Sequence, residues 1–215
     1  MPQRIVAIIN QKGGVGKTTT SLNLGHGLAM LGKKVLLIDL DPQAHSTLVL
    51  APNPLQLTLT IQDVLMDRRD IRHAVVRTSI DNLDLVPSHI HLDRAEHLLI
   101  PEMFRETRLS RALAGIDYDF ILIDCRPTLG ILSINALYAC GIVLVPCETA
   151  RFSLEGFADL LNTIKILKKG KEESEHLLLR ILLCKFDPRN PTDPYGASSP
   201  QTEKKPHKDG APGGK

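Results

Sequence analysis

Residues 8–20 read IINQKGGVGKTTT. They close an apolar run, RIVAIIN at 4–10, and pass through glycines at 13, 14 and 16 into Lys17, Thr18 and a helical pattern over 18–31. Strand, glycine loop and helix in this order form a phosphate cradle. Glycines let successive backbone N–H groups converge on oxygen atoms, and the helix N-terminus adds partial positive charge. One lysine is enough to hold a phosphate, yet this segment carries two, Lys12 and Lys17.

The end of the segment fits the Walker pattern G-x-x-x-x-G-K-[ST] at Gly16, Lys17 and Thr18, while Gln11 stands where the first glycine belongs. Gly13, Gly14, Val15, Gly16, Lys17, Thr18 and Thr19 are therefore the expected nucleotide contacts. Lys17 is expected to reach the β- and γ-phosphates and Thr18 to coordinate Mg²⁺. Lys12 precedes the glycines, where a solvated lysine is the plain alternative to a functional one.

Outward from the loop, short runs rich in Val, Ile and Leu recur at 34–40, 83–88, 119–125, 141–146 and 177–184. Several are apolar throughout, as strands buried on both faces of a parallel sheet are. Helical patterns over 18–31, 105–116, 131–140 and 153–169 lie between strands. In the last, Leu154, Phe157, Leu160, Leu161, Ile164 and Leu167 share one face. Alternating strands and helices predict an α/β fold: a doubly wound, mostly parallel sheet with helices on both faces, of the P-loop NTPase type.

The apolar pattern stops at Phe186. From Asp187 to Lys215 there is no Val, Ile, Leu, Met or Phe, and six of the chain's 14 prolines lie there. Such a segment buries too little apolar surface to offset its ordering entropy. The expected organisation is one domain over 1–189 and a disordered Pro/Gly/Lys-rich tail over 190–215.

Composition narrows the classes. The 215 residues are 43% hydrophobic and 23% charged, ordinary for a globular protein, with no apolar run long enough to cross a bilayer and no signal peptide. The four cysteines form no C-x-x-C pair, which argues against zinc and redox motifs and suggests buried thiols in a reducing cytosol. The net charge of +2 is uneven: residues 1–164 hold 15 basic and 17 acidic residues, and 165–215 hold 11 and 7. The basic end reads as a solvated tail or as a nucleic-acid contact, and charge alone favours the tail.

KGGVGKTT at 12–19 resembles the deviant Walker loop of the ParA/MinD ATPases. In that family the early lysine crosses to the phosphates of a second subunit, so the resemblance gives Lys12 a role in an ATP-dependent homodimer. LLIDLDPQAHST at 36–47 resembles the ParA segment IDLDPQGNAT. Pro42 biases Asp41 away from helix, at a strand end where parallel sheets hold ligands, and Asp41 matches the family's hydrolytic aspartate. Asp39 reads equally as support for Mg²⁺ or as a turn-capping carboxylate. DFILIDCRPTLG at 119–130 resembles the ParA stretch DYIIIDCPPSLG, which makes Asp124 a Mg²⁺ support. VPCETARFSLEGF at 145–157 is similar to VPLQCEYFALEGL but departs at Glu148, Ala150 and Arg151, and Arg126 replaces a family proline. ILLCKFDPRNP at 181–191 resembles a strand and turn ending in D-x-R-T, which makes Arg189 a DNA-contact candidate beside its plain reading as an exposed tail arginine.

The resemblance covers about residues 3–190. It implies a cytoplasmic, nucleoid-associated ATPase using ATP and Mg²⁺, weak alone, stimulated by a ParB-like protein and bound to DNA without reading sequence. It also implies further strands and helices that this sequence lacks, so exposed apolar surface is expected. The alternative is a truncated regulatory or defective nucleotide-binding module. A MinD-like membrane form would need a basic amphipathic C-terminal helix, which TEKKPHKDGAPGGK does not provide. An iron–sulfur reductase would need Cys125 and Cys140 as ligands, yet Cys125 follows Asp124 as it does in ParA.

Overall fold

A computed structural model of the chain describes residues 4–148, 154–168 and 177–184. The expected tail, Arg189, Ala150 and Arg151 lie outside the described residues. The strands are β1 (Arg4–Ile8), β2 (Val35–Leu40), β3 (Val76–Arg77), β4 (Leu83–Val86), β5 (Phe120–Cys125), β6 (Ile142–Glu148) and β7 (Leu178–Cys184). The helices are α1 (Lys17–Met30), α2 (His45–Leu50), α3 (Ile61–Asp67), α4 (Leu92–Leu99), α5 (Arg108–Ala112), α6 (Ile131–Ala139) and α7 (Leu154–Lys168), with 3-10 turns at Ile71–Ala74 and Arg105–Thr107.

The seven strands form one sheet in the order β3-β4-β2-β5-β1-β6-β7. Every pairing is parallel except the short edge strand β3, which runs antiparallel to β4. The expected α/β doubly wound architecture is the one observed.

Alternation along the strands sorts two cores. Ala7, Leu36, Ile38, Ile121 and Ile123 point to one face and pack with residues of α3 to α7. Val6, Ile8, Val35, Leu37 and Leu122 point to the other, against Ala29 of α1 and Leu50 of α2. The inward residues of α1 are Lys17, Ser21, Gly25 and Ala29, one every four positions. A Cβ on Gly25 would lie 3.3 Å from Leu83 Cδ1 and 3.5 Å from Leu122 Cδ1, so this glycine sets how closely the helix sits on the sheet.

At the far edge β7 is only partly covered, with Leu179 packed against the first core. Leu178, Ile181, Leu182 and Leu183 are 39–47% exposed. The expected exposed apolar surface is therefore this strand. Cys125, Cys140 and Cys147 are buried free thiols, and Cys184 is half-buried. No helix among the described residues is long and apolar enough to cross a membrane.

Candidate functional site

The loop between β1 and α1 bends through left-handed backbone at Gly14 (φ 75°) and Gly16 (φ 95°), which side chains resist. No atom lies within 4 Å of a Cβ built on Gly13 or Gly14, so the mouth of the loop is open space. Val15, between Gly14 and Gly16, is buried. The loop is tied down by residues the motif does not name. Asn10 Nδ2 donates to the Pro146 carbonyl at 2.7 Å, and Asn10 Oδ1 accepts from the Lys12 N–H at 3.0 Å. Gln11, in place of the first Walker glycine, donates through Nε2 to the Gly156 carbonyl of α7 at 3.2 Å.

Lys17 begins α1 and is 7% exposed. Its ammonium donates to the Lys12 carbonyl at 2.8 Å. Burial lowers its pKa below the ordinary lysine value, while the charges of Asp124 and Asp41 pull it back up.

Asp124 and Asp41 are the carboxylates whose charges act on this lysine. The β2–β5 register sets Asp39 directly opposite Asp124. Both lie on the α1 face, because their neighbours Ile38, Leu40, Ile123 and Cys125 belong to the other core. Asp124 Oδ1 accepts from the Ser21 hydroxyl at 3.1 Å and Oδ2 from the Ser46 hydroxyl at 2.7 Å. Thr18 also hydrogen-bonds this carboxylate. Burial raises its pKa, opposed by these hydroxyls.

Asp39 is fully buried, and its carboxylate is engaged by the turn that follows the strand. The Thr47 N–H and hydroxyl each donate to Oδ2 at 2.8 Å, and the Asp41 N–H donates to Oδ1 at 3.2 Å. Burial first, and then the charge of Asp124, raise its pKa to about 7.

Asp41 leaves the strand end in a turn. Its Oδ1 accepts from the Gln43 N–H at 3.0 Å and its carbonyl from the Ser88 hydroxyl at 2.8 Å. Ala44 closes the turn with its N–H on the Asp41 carbonyl (2.9 Å) and takes left-handed backbone, φ 54°. The ParA segment has glycine at that place, so this chain carries strain of about 1–2 kcal/mol next to the site.

Arg126, the replacement for a family proline, does not face the phosphate loop. Its Nη1 pairs with Asp93 Oδ1 at 3.1 Å and with Glu96 Oε2, both on α4. Gly130 lies against the Glu96 carboxylate, and a Cβ there would make that side chain shift.

The structure thus brings together the Lys17 ammonium, Thr18 and the Asp41 and Asp124 carboxylates, with the Lys12 carbonyl on Lys17 and Gly13 to Gly16 in the loop between. Thr19 follows on α1 and is exposed. Sequence reasoning missed Asn10, Ser21, Ser46, Thr47 and Ser88, the hydroxyls and amide that hold the charged groups. Ser46 and Thr47 lay inside the quoted 36–47 segment, and Ser21 sits one helical turn after Lys17, so spacing from the loop was their available signal.

The open mouth over the glycines, the buried ammonium and the hydroxyl-ringed carboxylate fit a phosphate ligand with a hard divalent cation.

The family model for the AAA domain designated AAA_31 matches residues 3–177. The sporulation initiation inhibitor protein Soj of Bacillus subtilis is 44% identical to this chain over 188 residues, 86% of this chain and 74% of Soj. The chromosome partitioning protein ParA of Caulobacter vibrioides is 40% identical over 193 residues, 88% of this chain and 72% of ParA. Among solved structures, cobyrinic acid a,c-diamide synthase of Mycobacterium smegmatis, with bound ATP analogue and magnesium, is similar at a TM-score of 0.74 and 37% identity. That likeness covers 83% of this chain and 72% of the synthase.

Proposed function

Because this chain belongs to the AAA-domain family AAA_31, in its ParA-like branch, we propose that it is a partition ATPase that binds and hydrolyses ATP with Mg²⁺. The observation that carries the reading is the convergence of Lys17, Asp124 and Asp41 at the ends of β1, β5 and β2, close enough for both carboxylates to act on the lysine's protonation. The Caulobacter relative, a chromosome partitioning protein, favours partition over diamide synthesis.

The chain's own groups divide the work. The N–H groups from Gly13 to Thr19 surround the phosphates, and Lys17 exchanges the Lys12 carbonyl for a phosphate oxygen. Thr18 and Asp124 would hold Mg²⁺, and Ser21 and Ser46 keep the Asp124 carboxylate oriented. When bound, the cation neutralises phosphate charge. Asp41 orients or activates the attacking water. Catalysis is then positioning and electrostatic stabilisation, the usual division in phosphoryl transfer.

Lys12 reaches the nucleotide of a second copy and couples ATP to a homodimer. The dimer binds DNA without reading sequence, with Arg189 as a contact, and so associates with the nucleoid in the cytoplasm. A ParB-like partner accelerates hydrolysis and releases it.

Phosphate release from Mg-ATP by the purified chain tests the core of this reading. Slow turnover that Lys17→Ala and Asp41→Ala each abolish supports it. Tight nucleotide binding with no turnover, alone or with a ParB-like protein, would favour the regulatory module instead.

A further inference from the structure

On the α3–α7 face, away from α1, a cavity of about 430 Å³ opens between α3, α5, the 3-10 turn at Ile71–Ala74 and the segment at Met103 and Phe104. None of its lining residues belongs to the phosphate loop or to the Asp39–Asp124 centre. Its size falls in the range of small-molecule sites. Five arginines line it (Arg68, Arg69, Arg72, Arg108 and Arg111) against a single aspartate, Asp70.

The acids nearby are already engaged. Asp70 accepts from the Arg72 N–H at 2.9 Å and lies 3.6 Å from its guanidinium. Glu102 pairs with Arg108 Nη2 at 2.8 Å. Among the described residues no acid pairs with Arg68, Arg69 or Arg111.

Beneath the rim, the Arg108 side chain is 9% exposed and its Nε has no acceptor. Its Nη1 donates to the Leu65 and Met66 carbonyls at 2.7 and 3.1 Å, so this charge is fixed in place. One wall is aromatic. Phe104 is 58% exposed, and the Arg111 guanidinium sits 5.3 Å from its ring centre. Phe104 (φ 56°) and Arg68 (φ 54°) both hold left-handed backbone, which costs a non-glycine residue about 1–2 kcal/mol.

We propose that this cavity is a second anion site, independent of the phosphate loop, for a small phosphorylated molecule of nucleotide size. Guanidinium groups offer paired donors that match phosphate oxygens. Phe104 and the apolar wall suit a planar ring. A duplex is too broad for a cavity this small, and phosphate groups on Arg68, Arg69 and Arg111 supply the anions these arginines lack.

The test is amide chemical-shift mapping on the full wild-type chain, titrated separately with inorganic tripolyphosphate and with ADP. Shifts at 13–19 report the phosphate loop, and shifts at 64–72 and 103–112 report the cavity. Expected are saturable cavity shifts with both probes. Arg69→Gln with Arg111→Gln, two exposed positions, should weaken them roughly tenfold or more and leave the loop shifts unchanged. Phe104→Ala assigns the source: a loss confined to ADP points to a nucleotide, and an equal response of both probes to a bare polyphosphate. Shifts confined to 13–19, cavity affinity unchanged in the double variant, or cavity shifts only with duplex DNA or an acidic peptide would overturn the proposal.

Discussion

The Lys17 ammonium donates to the backbone carbonyl of Lys12 at 2.8 Å. The two lysines of the loop are thus coupled through the main chain, and Lys17 must leave that carbonyl to meet a phosphate. Burial lowers the pKa of this amine, and the charges of Asp124 and Asp41 oppose that shift. Lys17→Ala should therefore lower Mg-ATP affinity by about 1.5–3 kcal/mol or more, the worth of a charge-assisted contact, which is roughly tenfold to a hundredfold. Titration calorimetry measures it, and equal affinities for variant and wild type would remove Lys17 from the phosphate site.

The Asp41 carboxylate accepts from the Gln43 N–H of its own turn, while its backbone N–H, which an alanine keeps, donates to Asp39 Oδ1, so removing the carboxylate leaves the loop in place. Asp41→Ala should bind ATP at least as tightly as wild type, because a negative charge near the γ-phosphate is lost. Its turnover should fall by roughly 10²-fold or more, the scale of a positioned acid or base. Unchanged steady-state phosphate release would assign the water to another residue.

Asp39 yields a pH signature. Its folded pKa lies near 7 against an ordinary carboxylate value of 3.8. Between those values the folded chain holds the extra proton, so this group makes stability fall as pH rises from about 4 to 7, with little further change above. The slope approaches roughly 1 kcal/mol per pH unit at most. Urea midpoints measured without Mg²⁺ at pH 5, 6, 7 and 8 should decline less steeply for Asp39→Asn than for wild type. Parallel curves would show that Asp39 does not carry the proton.

Arg126 and Glu96 are 19% and 14% exposed, and Glu96 Oε1 and Arg126 Nε have no acceptor or donor. Removing one partner strands the other. Arg126→Ala should cost about 1–3 kcal/mol of stability, and adding Glu96→Ala should recover part of it. Purely additive losses in a denaturant double-mutant cycle would mean that the pair is not coupled.

The sheet was legible because β1, β2, β5 and β6 are apolar on both faces, a pattern that parallel burial imposes. The loop was legible because only glycine takes φ 75° and 95° without strain and because Lys17 and Thr18 follow it directly. Other parts left weaker marks. β3 is two residues long, and α2, α3 and α4 are six to eight residues each, too short for a clear helical period. The pattern over 105–116 became a 3-10 turn and a five-residue helix, Arg108–Ala112. Asp39 kept two readings open because its partner, Thr47, is eight residues away across a turn whose geometry the sequence does not display. Arg126 stood out only as a departure, since its partners lie 30 and 33 positions back on α4.

Whether two copies close on ATP through Lys12 is measured most directly by sedimentation velocity. Asp41→Ala protein with ATP and Mg²⁺ is compared with the same protein carrying Lys12→Ala, so that turnover does not deplete the nucleotide. Two-fold symmetry places the contact twice in each dimer. At roughly 1.5–3 kcal/mol each, the two contacts amount to about 3–6 kcal/mol, on the order of a hundredfold or more in the dimer constant. The expected result is a dimer with ATP for the Asp41→Ala protein, a monomer for the Lys12→Ala double variant at the same concentration, and near-equal ADP affinity for both. Dimers of equal strength in the two proteins, or monomers in both with ATP saturating, would contradict a role for Lys12 across the interface.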